Sequence, residues 1–155
     1  MLGRNSWADG VKLELGGGAS PTPGFVNLDP IHGQGEFRRR AQDGIPIPDG
    51  SVEATRCSHL LEHIPAGAER IFVMNEVHRV LVPGGTFDIT VPLFPTWGAI
   101  ADPTHLSFWV EQSFWYFTGR RAARADYGIR LWEMVSWSTR AARWGTAGRA
   151  ILRKS

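Results

Sequence analysis

The sequence holds one cysteine, Cys57, in 155 residues. A lone thiol excludes an internal disulfide framework and a cysteine-rich zinc site, and Cys57 reads as a small buried strand residue. No apolar run comes near the ~20 residues that cross a bilayer, and no basic-then-apolar leader follows Met1. Repeats and low-complexity linkers are absent as well. With 43% hydrophobic and 21% charged residues, the composition is that of a soluble globular chain. The expectation is one domain, residues 1–155, in the cytoplasm and without a membrane partner.

Charge of one sign is scarce in each part of the chain. Residues 1–119 hold 8 Lys+Arg against 13 Asp+Glu, and residues 120–155 hold 9 against 2, for a net +2. A basic C-terminal third can meet an anionic substrate, nucleic acid or an acidic partner. Its arginines are dispersed, so a solvated basic face is the simpler reading and nucleic acid is not expected.

What the sequence does contain is an organising stretch from Val11 to Pro30, VKLELGGGASPTPGFVNLDP. An apolar strand, Val11 to Leu15, carries Glu14 near its end and runs into Gly16, Gly17 and Gly18. A second strand, Phe25 to Leu28, ends on Asp29. Strand, glycine turn, strand and terminal acid is the layout of a nucleoside-binding α/β edge. Glycines let the backbone turn sharply and approach a ligand, and a carboxylate at a strand tip can accept hydrogen bonds from both hydroxyls of a ribose.

Further along, a short polar strand is expected around Phe37 to Arg40, ending near Asp43. The prolines and Asp49-Gly50 of IPIPDGS mark an irregular turn. A strand at Val52–Ser58 leads into HLLEHIP. A helix from about Ala66 to Leu81 carries Ile71, Met74, Val77 and Leu81 as one apolar stripe, and Pro83 with two glycines stops it. TFDITV, residues 86–91, alternates as a strand. A long aromatic-rich loop to about Val110 precedes a helix from Gln112, and strands are expected near Ile129–Trp137 and Ala150–Lys154. This order argues an α/β fold with a mainly parallel sheet.

LELGGG, the Asp29 strand end, QDG at 42–44, PDGSVEATRCSHLLEHI, HRVLVPGGTF and DPTHLSFW together resemble class I S-adenosylmethionine-dependent methyltransferases. The likeness spans roughly residues 11–118 and looks closest to a small branch carrying an HxLEH signature. The resemblance implies a Rossmann-like, seven-stranded, mostly parallel sheet of order 3-2-1-4-5-7-6 with its seventh strand antiparallel. It also implies S-adenosylmethionine as cofactor and a methyl acceptor of the small-molecule or glycan class. Glu14, Gly16, Gly17 and Gly18 would surround the methionine portion and Asp29 would take the ribose hydroxyls. Asp43 and Gly44 would lie at the adenine, with Ser58 and His59 beside the sulfonium. Methyl transfer needs alignment and desolvation more than a catalytic triad. One departure is plain: only six residues, two of them proline, separate Gly18 from Phe25, so no ordinary helix fits. The helices of one sheet face are expected to be short or missing.

His105, on the loop after TFDITV, is the candidate general base, with a structural Asp102–His105 turn as the alternative. His59 and His63, four apart, resemble a metal pair, but no third ligand is evident and no metal is assigned. Trp97, Phe108 and Trp109 wall a substrate pocket or pack in the core. A nicotinamide-dependent oxidoreductase would need G-x-G-x-x-G opening a helix, which Pro21 and Pro23 preclude. The remaining alternative is a catalytically weak or inactive methyltransferase-like binding or assembly module. Because the strands alternate, with Lys12, Arg56 and Asp88 on the polar side, one sheet face should stay uncovered. A homodimer through that face, or a lid bearing Trp132, Trp137 and Trp144, would cover it.

Overall fold

A computed structural model describes residues 10–121 and 125–155; the stretch before Val11, which leaves little room for a helix, lies outside the described residues. The strands are β1 (Val11–Leu15), β2 (Val26–Leu28), β3 (Val52–Ser58), β4 (Leu81–Pro92), β5 (Trp132–Ala142) and β6 (Gly145–Lys154). They form one six-stranded sheet in the order β2-β1-β3-β4-β6-β5. Pairings from β2 through β4 are parallel, and β6 is antiparallel to both β4 and β5.

The expected third strand does not form, so among the described residues the sheet has six strands and not seven. Gly35–Phe37 and Ala41–Asp43 are 3-10 turns instead. The reason lies in three consecutive arginines. Arg38 donates to the Ile31 carbonyl and Arg39 to that of Glu36, so their side chains bond nearby backbone in place of a strand pattern. Phe37 and Ala41 alone turn inward there, a spacing of four that suits a coil of turns and not a period of two.

Register puts Leu13, Thr55, Phe87 and Leu152 in one row, and Leu15, Cys57, Ile89 and Ala150 in the next. These rows are buried beneath α1 (Ala68–Val80), which contributes Val73, Met74, Val77 and Val80. The buried stripe is therefore displaced from the expected one: Ile71 is only half-buried, and Leu81 belongs to β4, paired with Val52. Helix α1 opens at Ala68 after Gly67 and not at Ala66. A short helix, α2 (Trp97–Ile100), interrupts the expected loop, and α3 (Glu111–Trp115) forms where a helix from Gln112 is expected. Trp109, Phe114 and Trp132 fill the same apolar layer, with Trp109 against Phe114 at 5.0 Å and Trp132 against Phe87 at 6.0 Å. Trp132 thus packs on the covered face and forms no lid over the polar one.

The polar row is Glu14, Arg56 and Asp88. Lys12 on this side is exposed, and Asp88 is paired with Arg149 at 2.7 Å. Where a helix would lie, the loop after the glycines folds back: the Thr22 amide donates to Glu14, and Arg56 donates to the Thr22 hydroxyl at 2.8 Å. On the other side, Arg79 of α1 holds the irregular chain before β3. It donates to the carbonyls of Ile45 and Ile47 while paired with Glu76 and Asp49. Hydrogen bonds to Glu76, opposed by burial, raise its pKa further above the ordinary arginine value. Replacing Arg79 with Leu strands two carbonyls and a carboxylate, and should lower stability by about 2–3 kcal/mol in urea unfolding. Arg79→Lys should recover only part of this, since an ammonium lacks the planar fork.

Candidate active site

Each parallel strand hands its chain to a loop at the same sheet edge. At the end of β1 the Gly16 amide still bonds the Leu28 carbonyl at 2.9 Å, and the glycine turn begins there. A Cβ on Gly17 would meet Asn27 Oδ1 at 2.7 Å, closer than a real side-chain carbon sits, so a larger residue would push Asn27 off the Gly17 amide that it accepts from. Gly18, at φ +60°, has nothing within 4 Å of where a side chain would stand, and faces open space. Its amide donates to Asp29 Oδ2 at 3.1 Å, while the amides of Ile31 and His32 donate to Oδ1, both at 2.8 Å.

Burial acts to raise the Asp29 carboxyl's pKa, but these three amides, helped by His32, outweigh it and hold the group below its ordinary value. Asp29 is therefore ionised at neutral pH. With three donors already on its two oxygens, it has room for about one more without rearrangement, fewer than a ribose diol offers. Glu14 is buried and turned to the polar row, where Arg56 lies 3.3 Å away. It braces the glycine loop from beneath. Asp43 is half-exposed and paired with Arg40 at 2.9 Å, and the amide after Gly44, that of Ile45, donates to Glu76. Ser58 ends β3, and His59 follows at φ +55°. That left-handed backbone is uncommon for a side chain of this size and turns the chain into the 3-10 turn Leu61–His63.

Beside His59 opens a cleft of about 980 Å³, lined by that turn, the loop after β4 and the β5–β6 turn. The loop is stitched to the turn: the amides of Leu106 and Ser107 both donate to the Glu62 carbonyl, at 2.7 and 3.1 Å, and Ser107 Oγ donates to that of Leu61. The β5–β6 turn is docked by the Gly98 amide on the Trp144 carbonyl at 2.7 Å. Trp97 and Trp144 stand exposed at the mouth, at 74% and 65%.

Of the sequence-predicted residues, the structure brings Glu14, Gly16–Gly18 and Asp29 together and places His59 and His105 in the cleft. His59 and His63, which resemble a metal pair in sequence, turn to different partners. The Nδ1 of His59 turns to Glu62 at 3.2 Å, and His63 meets the ring of His105 edge-on at 4.8 Å. His105 bonds the Ala99 carbonyl through Nδ1 at 2.9 Å, and its contact with Asp102, at 3.8 Å, is looser. Trp109 is core, while Phe108 is half-exposed against Phe94. Sequence reasoning missed Glu62, a carboxylate only 1% exposed, and named Trp144 as part of a lid over the polar face where the structure places it at the cleft. For Glu62 the available signal was its place three residues after His59.

Replacing Asp29 with Ala leaves three amides without their acceptor and should cost about 1–3 kcal/mol at neutral pH. Because the native pKa is lowered, the wild-type advantage is full above the ordinary carboxylate value and fades as pH falls through the native one. Urea unfolding of both proteins from neutral to acid pH measures it.

No curated protein matches the chain by sequence. Solved structures share its fold. A SAM-dependent methyltransferase of Methanosarcina mazei superposes with a TM-score of 0.62 at 14% identity, over 93% of this chain and 92% of that one. The 1,6-didemethyltoxoflavin-N1-methyltransferase of Burkholderia thailandensis, solved with 1,6-didemethyltoxoflavin and S-adenosylhomocysteine, gives 0.66 at 13%, over 96% and 72%. A SAM-dependent methyltransferase of Archaeoglobus fulgidus gives 0.65 at 12%, over 96% and 88%. Residues 25–89, from the start of the second strand into β4, match the methyltransferase-domain family. Over that segment the chain is similar to the methyltransferase-domain family, and its fold is the one these S-adenosylmethionine-dependent methyltransferases share.

Proposed function

We propose that the chain methylates a small-molecule or glycan acceptor seated in the cleft beside His59. The observation that carries this reading is the meeting of two sites at one residue. His59 directly follows Ser58 at the strand ends, and it also lines the cleft. Cofactor and acceptor bound at these two places would approach each other there.

The residues at the strand ends fit the cofactor. An ionised Asp29 suits a ribose hydroxyl, Gly18 opens onto free space, and Ile31, 65% exposed beside Asp29, offers an apolar surface to an adenine ring. Gly16 and Gly17, braced by Glu14, would border the methionine portion, with Asp43 and Gly44 toward the base. When bound, S-adenosylmethionine supplies an electrophilic methyl group on a positively charged sulfur. The protein's part is to align an acceptor lone pair with that carbon at ~3–3.5 Å and to keep water out. Trp97 and Trp144 offer flat faces to a ring-shaped acceptor. The Ala99 carbonyl takes the Nδ1 proton of His105, which leaves the lone pair on Nε2 to receive a proton.

Calorimetry should show one equivalent of S-adenosylmethionine or its demethylated product binding. Asp29→Ala should weaken it about 10–100-fold, the worth of one charge-assisted hydrogen bond; unchanged affinity would remove Asp29 from the cofactor site. With an acceptor found by screening, His105→Gln should lower turnover ~10²–10⁴-fold at unaltered cofactor affinity. Cofactor binding without product from any acceptor would assign the chain to the non-catalytic, binding-module reading.

A further inference from the structure

The cleft wall carries a group of side chains of which methyl transfer, as read above, uses only His105. A carboxylate oxygen of Glu62 and one ring nitrogen each from His63 and His105 lie within 4.8 Å of one another. Glu62 is 1% exposed, yet its Oε2 is buried without any hydrogen-bond partner. An unpaired buried carboxylate oxygen is costly, and nothing in the fold's packing accounts for it. Its other oxygen, Oε1, is engaged by His59 at 3.2 Å.

Both imidazoles are oriented by backbone. His63 Nδ1 lies 3.2 Å from the Thr104 carbonyl and His105 Nδ1 lies 2.9 Å from that of Ala99. A carbonyl only accepts, so each ring carries its proton on Nδ1 and keeps its lone pair on Nε2. Backbone carbonyls that fix the tautomer in this way are the usual outer partners of metal-bound histidines. Asp102 Oδ2 lies 3.8 Å from Nε2 of His105, within reach as a further oxygen. Nor are these residues chance neighbours, because the paired amides on the Glu62 carbonyl hold the two loops together.

We propose that Glu62, His63 and His105 form a binding site for a borderline divalent transition-metal ion of the zinc class, open toward the cleft. Two imidazoles and a carboxylate are a donor set that zinc accepts at three positions, leaving the rest for water or substrate. Hard cations such as magnesium prefer all-oxygen surroundings. Ligand atoms around a tetrahedral zinc ion stand about 3.4 Å apart, so the group closes by a modest swing of half-buried His63. If the methyl-transfer reading holds, an ion here would bind an acceptor oxygen and ease its loss of a proton. It would then take the place of His105 as base. Ion binding itself does not rest on that reading.

The test uses the untagged full chain, stripped of metal with a chelator and titrated with Zn²⁺ and with Co²⁺. Calorimetry should give one equivalent of each, and Co²⁺ should develop the visible absorption of a low-coordinate site. His63→Ala, His105→Ala and the near-isosteric Glu62→Gln should each weaken binding at least tenfold, while His78→Ala should not. Thermal melts of every variant separate lost ligands from lost fold. Failure of the folded wild type to take up either ion overturns the site, as does uptake that survives both histidine substitutions. Cofactor titration of the same samples reports separately on the methyltransferase reading.

Discussion

The arrangement of the cleft depends on one acceptor, the Glu62 carbonyl, which takes the amides of both Leu106 and Ser107. A buried carbonyl must be paired, and here one oxygen pairs with two donors from a loop more than forty residues away. Ser107 adds its hydroxyl to the Leu61 carbonyl. Without this junction the loop after β4 would keep its bond to the β5–β6 turn through Gly98 and Trp144 but lose two amide bonds to the Leu61–His63 turn. With it, His63 and His105 are brought edge to edge, and the wall of the cleft becomes part of the sheet.

Carboxylates do the bracing elsewhere. Among the described residues the expected third strand does not form, and short loops follow β1 and β2 where a doubly wound fold would carry helices. Glu14 fixes the loop after β1 through Thr22, Asp29 gathers three amides around the end of β2, and Glu76 with Arg79 secures the chain entering β3. Each is a charge-assisted contact between a side chain of the regular framework and the backbone of an irregular segment, stronger than a neutral one. Such contacts are local. They hold a loop in place without the apolar area that a helix would bury, which is how a sheet with one open polar face can still present ordered strand ends.

Much of the framework was legible because side-chain period reports it directly. In β1 apolar and polar residues alternate up to Gly16, and in β3 buried and half-buried positions alternate from Thr55 after a register irregularity at Val52–Ala54; the bounds of both agree with the expected ones. The expected strand at Phe37–Arg40 gave way to turns in which its arginines bond the Ile31 and Glu36 carbonyls and Asp43 close by. The start of β6 was invisible for the opposite reason. Gly145 and Gly148 offer no pattern, yet they pair with Ala142 and Thr139 through backbone alone. Strand β5 begins at Trp132 and not Ile129, because Asn75 of α1 holds Gly128 and Arg130 out of the sheet. At the site, Asp29 was readable from its place at a strand tip. The burial of Glu62 was not, as a charged residue in a turn is ordinarily solvated and only the distant loop encloses it.

The register of β5 also bears on how the protein keeps to itself. Eleven residues long, β5 is the outer strand of the sheet on its side, and a straight edge of that length is a template for another chain's backbone. Between Met134 and Ser136 its pairing with β6 slips by one residue, leaving Val135 out of register and 47% exposed. A bulge of this kind sharpens the local twist. Glu133, paired with Arg153, sits just before it and Arg140 follows. An incoming strand would find the hydrogen-bonding line bent and flanked by charge, so the longest edge of the fold is a poor seed for aggregation.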